Sequence, residues 1–171
     1  MSTATLVPVE EYLATMYHPD CDYVDGVLIE RNVGQKDHSN IQGALKVWFW
    51  TNRRRLRLKA FTEQRVRVNS RRFRVPDVCV TSLPEPDEQI FSQPPYICIE
   101  VDSPDDTLAR TQARLDDYLE IGVENIWRIE PSTGQGWRIT PDGQLEAKDG
   151  ILRTTDGRVE LPIAELFTID D

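Results

Sequence analysis

Apolar residues recur along this chain with two different periods, and the places where the period changes divide it into elements. Val9, Leu13 and Met16 or Tyr17 share one face of a short helix predicted over Val7 to Tyr17. Asp22 to Arg31, DYVDGVLIER, places apolar residues on both sides of Asp25-Gly26, a pair suited to a two-residue hairpin turn. From about Lys36 to Arg55 the period lengthens. Ile41, Leu45, Trp48 and Phe49 fall at i, i+4, i+7 and i+8, which predicts a long helix, with His38 on the same face. Alternation returns at Arg65-Val66-Arg67-Val68, turns at Asn69-Ser70 and resumes at Phe73-Arg74-Val75, a second hairpin with one apolar face. Pro76 cannot donate to a ladder, so it marks an edge or bulge before the strand residues Val78-Cys79-Val80.

Leu83 to Pro95 holds four of the eleven prolines and reads as loop. Tyr96 to Val101 is a nearly continuous apolar run, as expected of a strand covered on both faces. Ser103-Pro104-Asp105-Asp106 is the expected cap of a helix over Thr107 to Ile121, with Leu108, Leu115 and Leu119 as its buried stripe. Gly122 suits the left-handed position that ends such a helix. A further strand follows at Asn125 to Ile129 and should pair in parallel with the one before the helix. Short strands then alternate with turns, and Pro162 to Phe167 closes as a short helix or strand. The expected fold class is α/β (α+β): a mixed sheet flanked by helices, with a β-rich C-terminal extension, in one domain over residues 1–171.

Composition narrows the picture. No apolar run approaches the roughly 20 residues of a membrane helix, and the N-terminus lacks the pattern of a secretory signal. Cys21, Cys79 and Cys98 are an odd number with no pairing pattern, so a cytoplasmic, reducing location is expected. The net charge of −9 disguises an uneven distribution. Lys46 to Arg74 holds eleven of the twenty Lys and Arg but one acid, Glu63. Such a block can bind phosphate or can simply be solvated and paired with the acidic remainder. Arg53, Arg54, Arg55, Arg71 and Arg72 are its candidate nucleic-acid contacts.

The candidate chemistry lies between Arg74 and Trp127. Asp77 follows Pro76 at the head of one apolar run, and Glu100 lies within another. A carboxylate in such a run is costly unless something pairs it. Two carboxylates at the end of neighbouring strands suit a hard cation such as magnesium or manganese, an established means of phosphodiester cleavage. Asp102, two residues after Glu100, should share its face and could add a third ligand. The bland alternatives are a turn role for Asp77, a core role for His38, a structural role for Glu30 and a surface ion pair for Arg114. There is no zinc spacing, phosphate-binding glycine loop or nucleophile elbow.

These features, in this order, resemble the Uma-two family of restriction-endonuclease-like proteins, within the PD-(D/E)XK nuclease superfamily. The resemblance rests on Asp25-Gly26 with Glu30, His38, Pro76-Asp77, the proline-led run Pro95 to Pro104 containing Glu100-Val101-Asp102-Ser103-Pro104, and then Tyr118, Gly122, Val123 and Trp127. It implies a restriction-endonuclease-like core, DNA as substrate, and Asp77 and Glu100 as metal ligands. Two positions depart from the family pattern. Arg114 stands where a lysine is usual, and Asp102 where an apolar residue is usual. A pairing of Asp102 with Arg114 would make these one linked change. Arginine cannot act as a base, though it can stabilise negative charge. Three functions therefore stay open: a metal-dependent endonuclease using Asp77, Glu100 and Arg114; a binding protein that has lost cleavage; and an interaction module forming a homodimer through Trp48-Phe49-Trp50.

Overall fold

The computed structural model describes residues 5–31 and 34–167. A short helix α1 (Val9–Ala14) leads to the hairpin β1 (Cys21–Val24) and β2 (Val27–Glu30). Its turn residues Asp25 and Gly26 both adopt positive φ, 51° and 93°, as a tight hairpin of this hand demands. Helix α2 (Lys36–Leu56) follows, then β3 (Leu58–Thr62), β4 (Val66–Asn69), β5 (Arg72–Arg74) and β6 (Val78–Ser82). After the proline-rich loop come β7 (Ile97–Val101), α3 (Leu108–Glu120), β8 (Asn125–Glu130), β9 (Gln135–Thr140) and β10 (Gly143–Glu146). A small hairpin, β11 (Ile151–Arg153) and β12 (Glu160–Pro162), and a 3-10 turn at Ile163–Leu166 complete the described chain.

Six strands form the main sheet in the order β10-β9-β8-β7-β6-β3, and four form a second in the order β2-β1-β5-β4. The pair β7-β8 is parallel, with α3 as its crossover, and the other neighbours are antiparallel. Strand β7 is buried throughout, and its alternation feeds two cores. Ile97, Ile99 and Val101 join Ile41, Leu45 and Phe49 of α2 and Leu152, Leu161 and Ile163 of the C-terminal segment. Cys98 joins Leu115 and Tyr118 of α3 with Cys79 and Ile126. Burying each of the larger side chains contributes about 1.5–3 kcal/mol, so the two cores hold α2 and α3 on opposite faces. Gly136 is closely approached: a Cβ there would lie 2.5 Å from Ile163 Cδ1, and that side chain would have to shift.

Several expectations are corrected. Strand β3, which pairs with β6 from Leu58↔Ser82 to Thr62↔Val78, was not anticipated, because its Lys and Thr weaken the alternation. In α1 the buried residue is Tyr12, stacked on Tyr23, while Met16 is 81% exposed. The helix α3 is capped by Thr107, whose hydroxyl accepts the Arg110 N–H, and not by Ser103. Its inward face is Thr111, Arg114, Leu115 and Tyr118, and Leu108 lies 75% exposed. A helix covering a buried carboxylate turns polar groups inward, so hydrophobicity alone misplaces its face. Of Trp48-Phe49-Trp50, Phe49 is wholly buried and Trp48 donates to Glu165 at 2.8 Å, leaving Trp50 exposed with Arg53 over its ring. Among the described residues no helix is long and apolar enough to cross a membrane.

Candidate active site

Val75-Pro76-Asp77 is the link by which the chain leaves the small sheet after β5 and enters the main sheet at β6. Proline suits this link because no ladder bond is required of it. Since Val78 faces Ile99 across the β6-β7 ladder, Asp77 is carried to the end of the sheet where Glu100 occupies the penultimate position of β7. The two carboxyl groups are 7% and 1% exposed.

Each carboxylate is anchored through one oxygen. Asp77 Oδ2 accepts the Val101 N–H at 2.8 Å, and Glu100 Oε1 accepts the Tyr118 hydroxyl at 2.6 Å. The other oxygens converge. Arg31 Nη2 donates to Asp77 Oδ1 at 2.7 Å and to Glu100 Oε2 at 3.1 Å. Arg114 Nε lies 3.2 Å from the same Glu100 oxygen, and its Nη2 donates to Asp106 Oδ2 at 3.3 Å. His38, in the first turn of α2, holds Nε2 3.3 Å from Asp77 Oδ1. Gln42, one turn further, donates to the Asp77 carbonyl at 2.9 Å.

The charges reshape one another. Burial disfavours ionised Asp77, but Arg31, His38 and the Val101 N–H outweigh it and hold the carboxyl well below the usual range. At Glu100 burial wins over Arg31 and Arg114, and the carboxyl is pushed up. Burial lowers His38, yet its contact with Asp77 outweighs burial and the imidazole is raised. Burial opposes the charge of Arg31 and Arg114 as well, but the carboxylates raise both guanidiniums further, so neither gives up a proton.

A cavity of about 300 Å³ lies beside this cluster, lined by Arg31, His38, Gln42 and Asp77 and also by His18, Asp20 and Glu63. Burial and the neighbouring Asp20 raise the Glu63 carboxyl. Asp77, Glu100 and Arg114 are therefore brought together, and His38 joins them. Arg31, Gln42 and Asp106 were missed by sequence reasoning. No periodicity marks Arg31, which lies beyond the end of β2, and Glu30 beside it is exposed.

Other expected site residues fall elsewhere. Asp102 does not meet Arg114. Its oxygens are taken by Arg128, 2.8 Å from Nε and 2.7 Å from Nη2, because β8 runs parallel beside β7 and presents Arg128 at that level. This overturns the linked change and removes Asp102 from the converging pair. Arg72 is committed to Asp117 at 2.9 Å and Asp25 at 3.2 Å, so it is not a free phosphate contact. Arg71 remains exposed, 3.8 Å from Asp25. Arg53, Arg54 and Arg55 occupy the last turn of α2, while His38 is in its first. Sixteen residues separate His38 from Arg54, about 24 Å of helix, so this basic turn lies at the opposite end of α2 from the carboxylates.

The profile of the Uma2 family, described as "Putative restriction endonuclease", matches residues 9–166. The chain belongs to the Uma2 family. The Uma2 match runs from α1 to the final 3-10 turn and so includes every residue of the converging cluster. A crystal structure described as a putative nuclease belonging to DUF820, from Anabaena variabilis ATCC 29413, is similar in fold. The two chains are 23% identical, the match covers 94% of this chain and 97% of that one, and the TM-score is 0.78. The architecture is accordingly restriction-endonuclease-like. No curated protein sequence matches the chain.

Proposed function

We propose that this Uma2 chain is a divalent-metal-dependent endonuclease hydrolysing phosphodiester bonds of DNA, with Asp77 and Glu100 holding magnesium or manganese. The observation that carries the reading is the convergence of two buried carboxylates on a single cationic nitrogen beside a cavity. Among the described residues no three His, Cys, Asp or Glu side chains form a metal cluster. The pair still fits magnesium, which keeps several waters and is commonly held by one or two carboxylates.

Bound there, such an ion supplies Lewis-acid stabilisation of negative charge and a more acidic water. The chain's own residues do the rest. Tyr118 and the Val101 N–H fix the carboxylates, so little rearrangement is needed during reaction. Arg114 stays charged and offsets negative charge developing on phosphate, but takes no proton. His38 orients Asp77 from the α2 side. The exposed arginines Arg54, Arg55 and Arg71, with the half-buried Arg53, are candidate contacts to the phosphate backbone, which position without reading sequence.

Nicking of supercoiled plasmid with magnesium or manganese tests the proposal. Metal-dependent nicking in the wild type, lost in Asp77→Asn and Glu100→Gln, is the expected result. A second reading, a DNA-binding protein that does not cleave, is favoured by Arg114, a guanidinium in the position of the family's lysine. Retained DNA binding with no nicking in the wild type, together with nicking by Arg114→Lys, would establish it and sink the first.

A further inference from the structure

We infer that Arg31 is an internal cation that competes with the divalent metal for Asp77 and Glu100, so that metal binding requires its guanidinium to be displaced. The inference rests on the metal-site reading above. It comes from the allocation of the four carboxylate oxygens. Two are held by fixed donors, the Val101 N–H and the Tyr118 hydroxyl. The two that remain, Asp77 Oδ1 and Glu100 Oε2, are both held by Arg31 Nη2, at 2.7 and 3.1 Å.

A hard cation at this pair must use those same oxygens, and two cations cannot share them without strong repulsion. Arg31, Arg114 and His38 already lie against the carboxylates of Asp77, Glu100 and Asp106, so these acids are paired without metal. Asp77 Oδ2 is already engaged by the Val101 N–H, which leaves Oδ1, the oxygen that Arg31 holds, as the more open one. Arg31, by contrast, lies beyond the end of β2, is 13% exposed and lines the cavity, so it has a path outward. Arg114 cannot leave in its place, being 5% exposed and fixed by α3 between Glu100 and Asp106. Competition of this kind is reciprocal: whatever Arg31 subtracts from metal affinity, metal subtracts from the hold on Arg31.

The test is calorimetric titration of manganese into wild type, Arg31→Ala, Arg31→Gln and Arg31→Ala/Asp77→Asn, without DNA. Removing the competitor should tighten binding about tenfold or more, within the range of coupled sites, and the double variant should lose it. Equal affinity in wild type and both Arg31 variants, lost with Asp77→Asn, would overturn the competition and leave the metal site standing. No saturable binding in any of them would overturn the metal site and the inference with it. Should the Arg31 variants not fold, wild-type crystals soaked in manganese decide it. Anomalous density between Asp77 and Glu100 with Arg31 moved away supports competition, and Arg31 still bonded to both carboxylates beside the ion overturns it.

Discussion

Two of the buried ion clusters among the described residues resemble each other in burial and distances and differ in access. In the first, Arg74 donates to Asp117 at 2.6 Å and to Asp22 at 3.0 Å, and Arg72 adds a bond to Asp117. Asp22 also accepts the Val75 N–H at 2.8 Å, so the cluster ties β1 and β5 of the small sheet to α3. In the second, Arg31, Asp77, Glu100 and Arg114 are arranged with similar burial and distances. The difference is access. The cavity is lined by Arg31 and Asp77 of the second cluster, with Glu100 and Arg114 outside its lining, and by none of Asp22, Arg72, Arg74 or Asp117. Burial and pairing do not by themselves mark a functional site; a path for another ion or phosphate to reach the charges does.

The contrast can be broken most forcefully at the first cluster. Asp117→Ala leaves Arg74 buried with half its partners, and we expect a loss of about 3–5 kcal/mol in urea unfolding. Nicking per folded molecule should be unchanged. A loss below about 1 kcal/mol would remove the structural role assigned to this cluster.

At the second cluster the effects should be reversed in kind. Asp77→Asn should lower the nicking rate by at least about a hundredfold, beyond the 10–100-fold typical of groups that merely support a metal ligand. Tyr118→Phe, which frees Glu100 Oε1 while keeping the ring, should fall within that 10–100-fold range. An unchanged rate in Tyr118→Phe would show that Glu100 needs no anchoring.

Smaller effects are expected at the surface. Replacing Arg53, Arg54 and Arg55 by Ser should change stability by less than about 0.5 kcal/mol each. If this end of α2 touches the phosphate backbone, the slope of log K against log salt should shrink by about 0.9 per arginine lost. An unaltered slope assigns backbone contact elsewhere. Smallest of all, the three cysteines are buried, and burial pushes the Cys79 thiol up to about 12. A disulfide-exchange reagent at pH 8 should label none of them in the folded protein and all three in denaturant.

Much of the frame is legible in local pattern. The Asp25-Gly26 turn, the stripe of Ile41, Leu45 and Phe49 on α2, the parallel pairing of β7 with β8, and the presence of Asp77 and Glu100 at neighbouring strand ends follow from local periodicity and turn chemistry, which need few distant partners. What lay beyond reach depends on partners far apart in the chain. Strand β3 was missed because its pairing with β6 outweighs its weak pattern. The inward face of α3 was misread because Arg114 and Tyr118 are drawn in by Glu100, and a helix above a carboxylate is not defined by hydrophobicity. Asp102, just past the end of β7, was given the wrong partner, since only the register of β8 brings Arg128 beside it. Above all, Arg31 lies 46 residues from Asp77 and 69 from Glu100. No local rule sends an arginine beyond a hairpin into a carboxylate pair. The folded arrangement alone carries the chain beyond β2 to the carboxylates and sets this guanidinium 2.7 Å from Asp77 and 3.1 Å from Glu100.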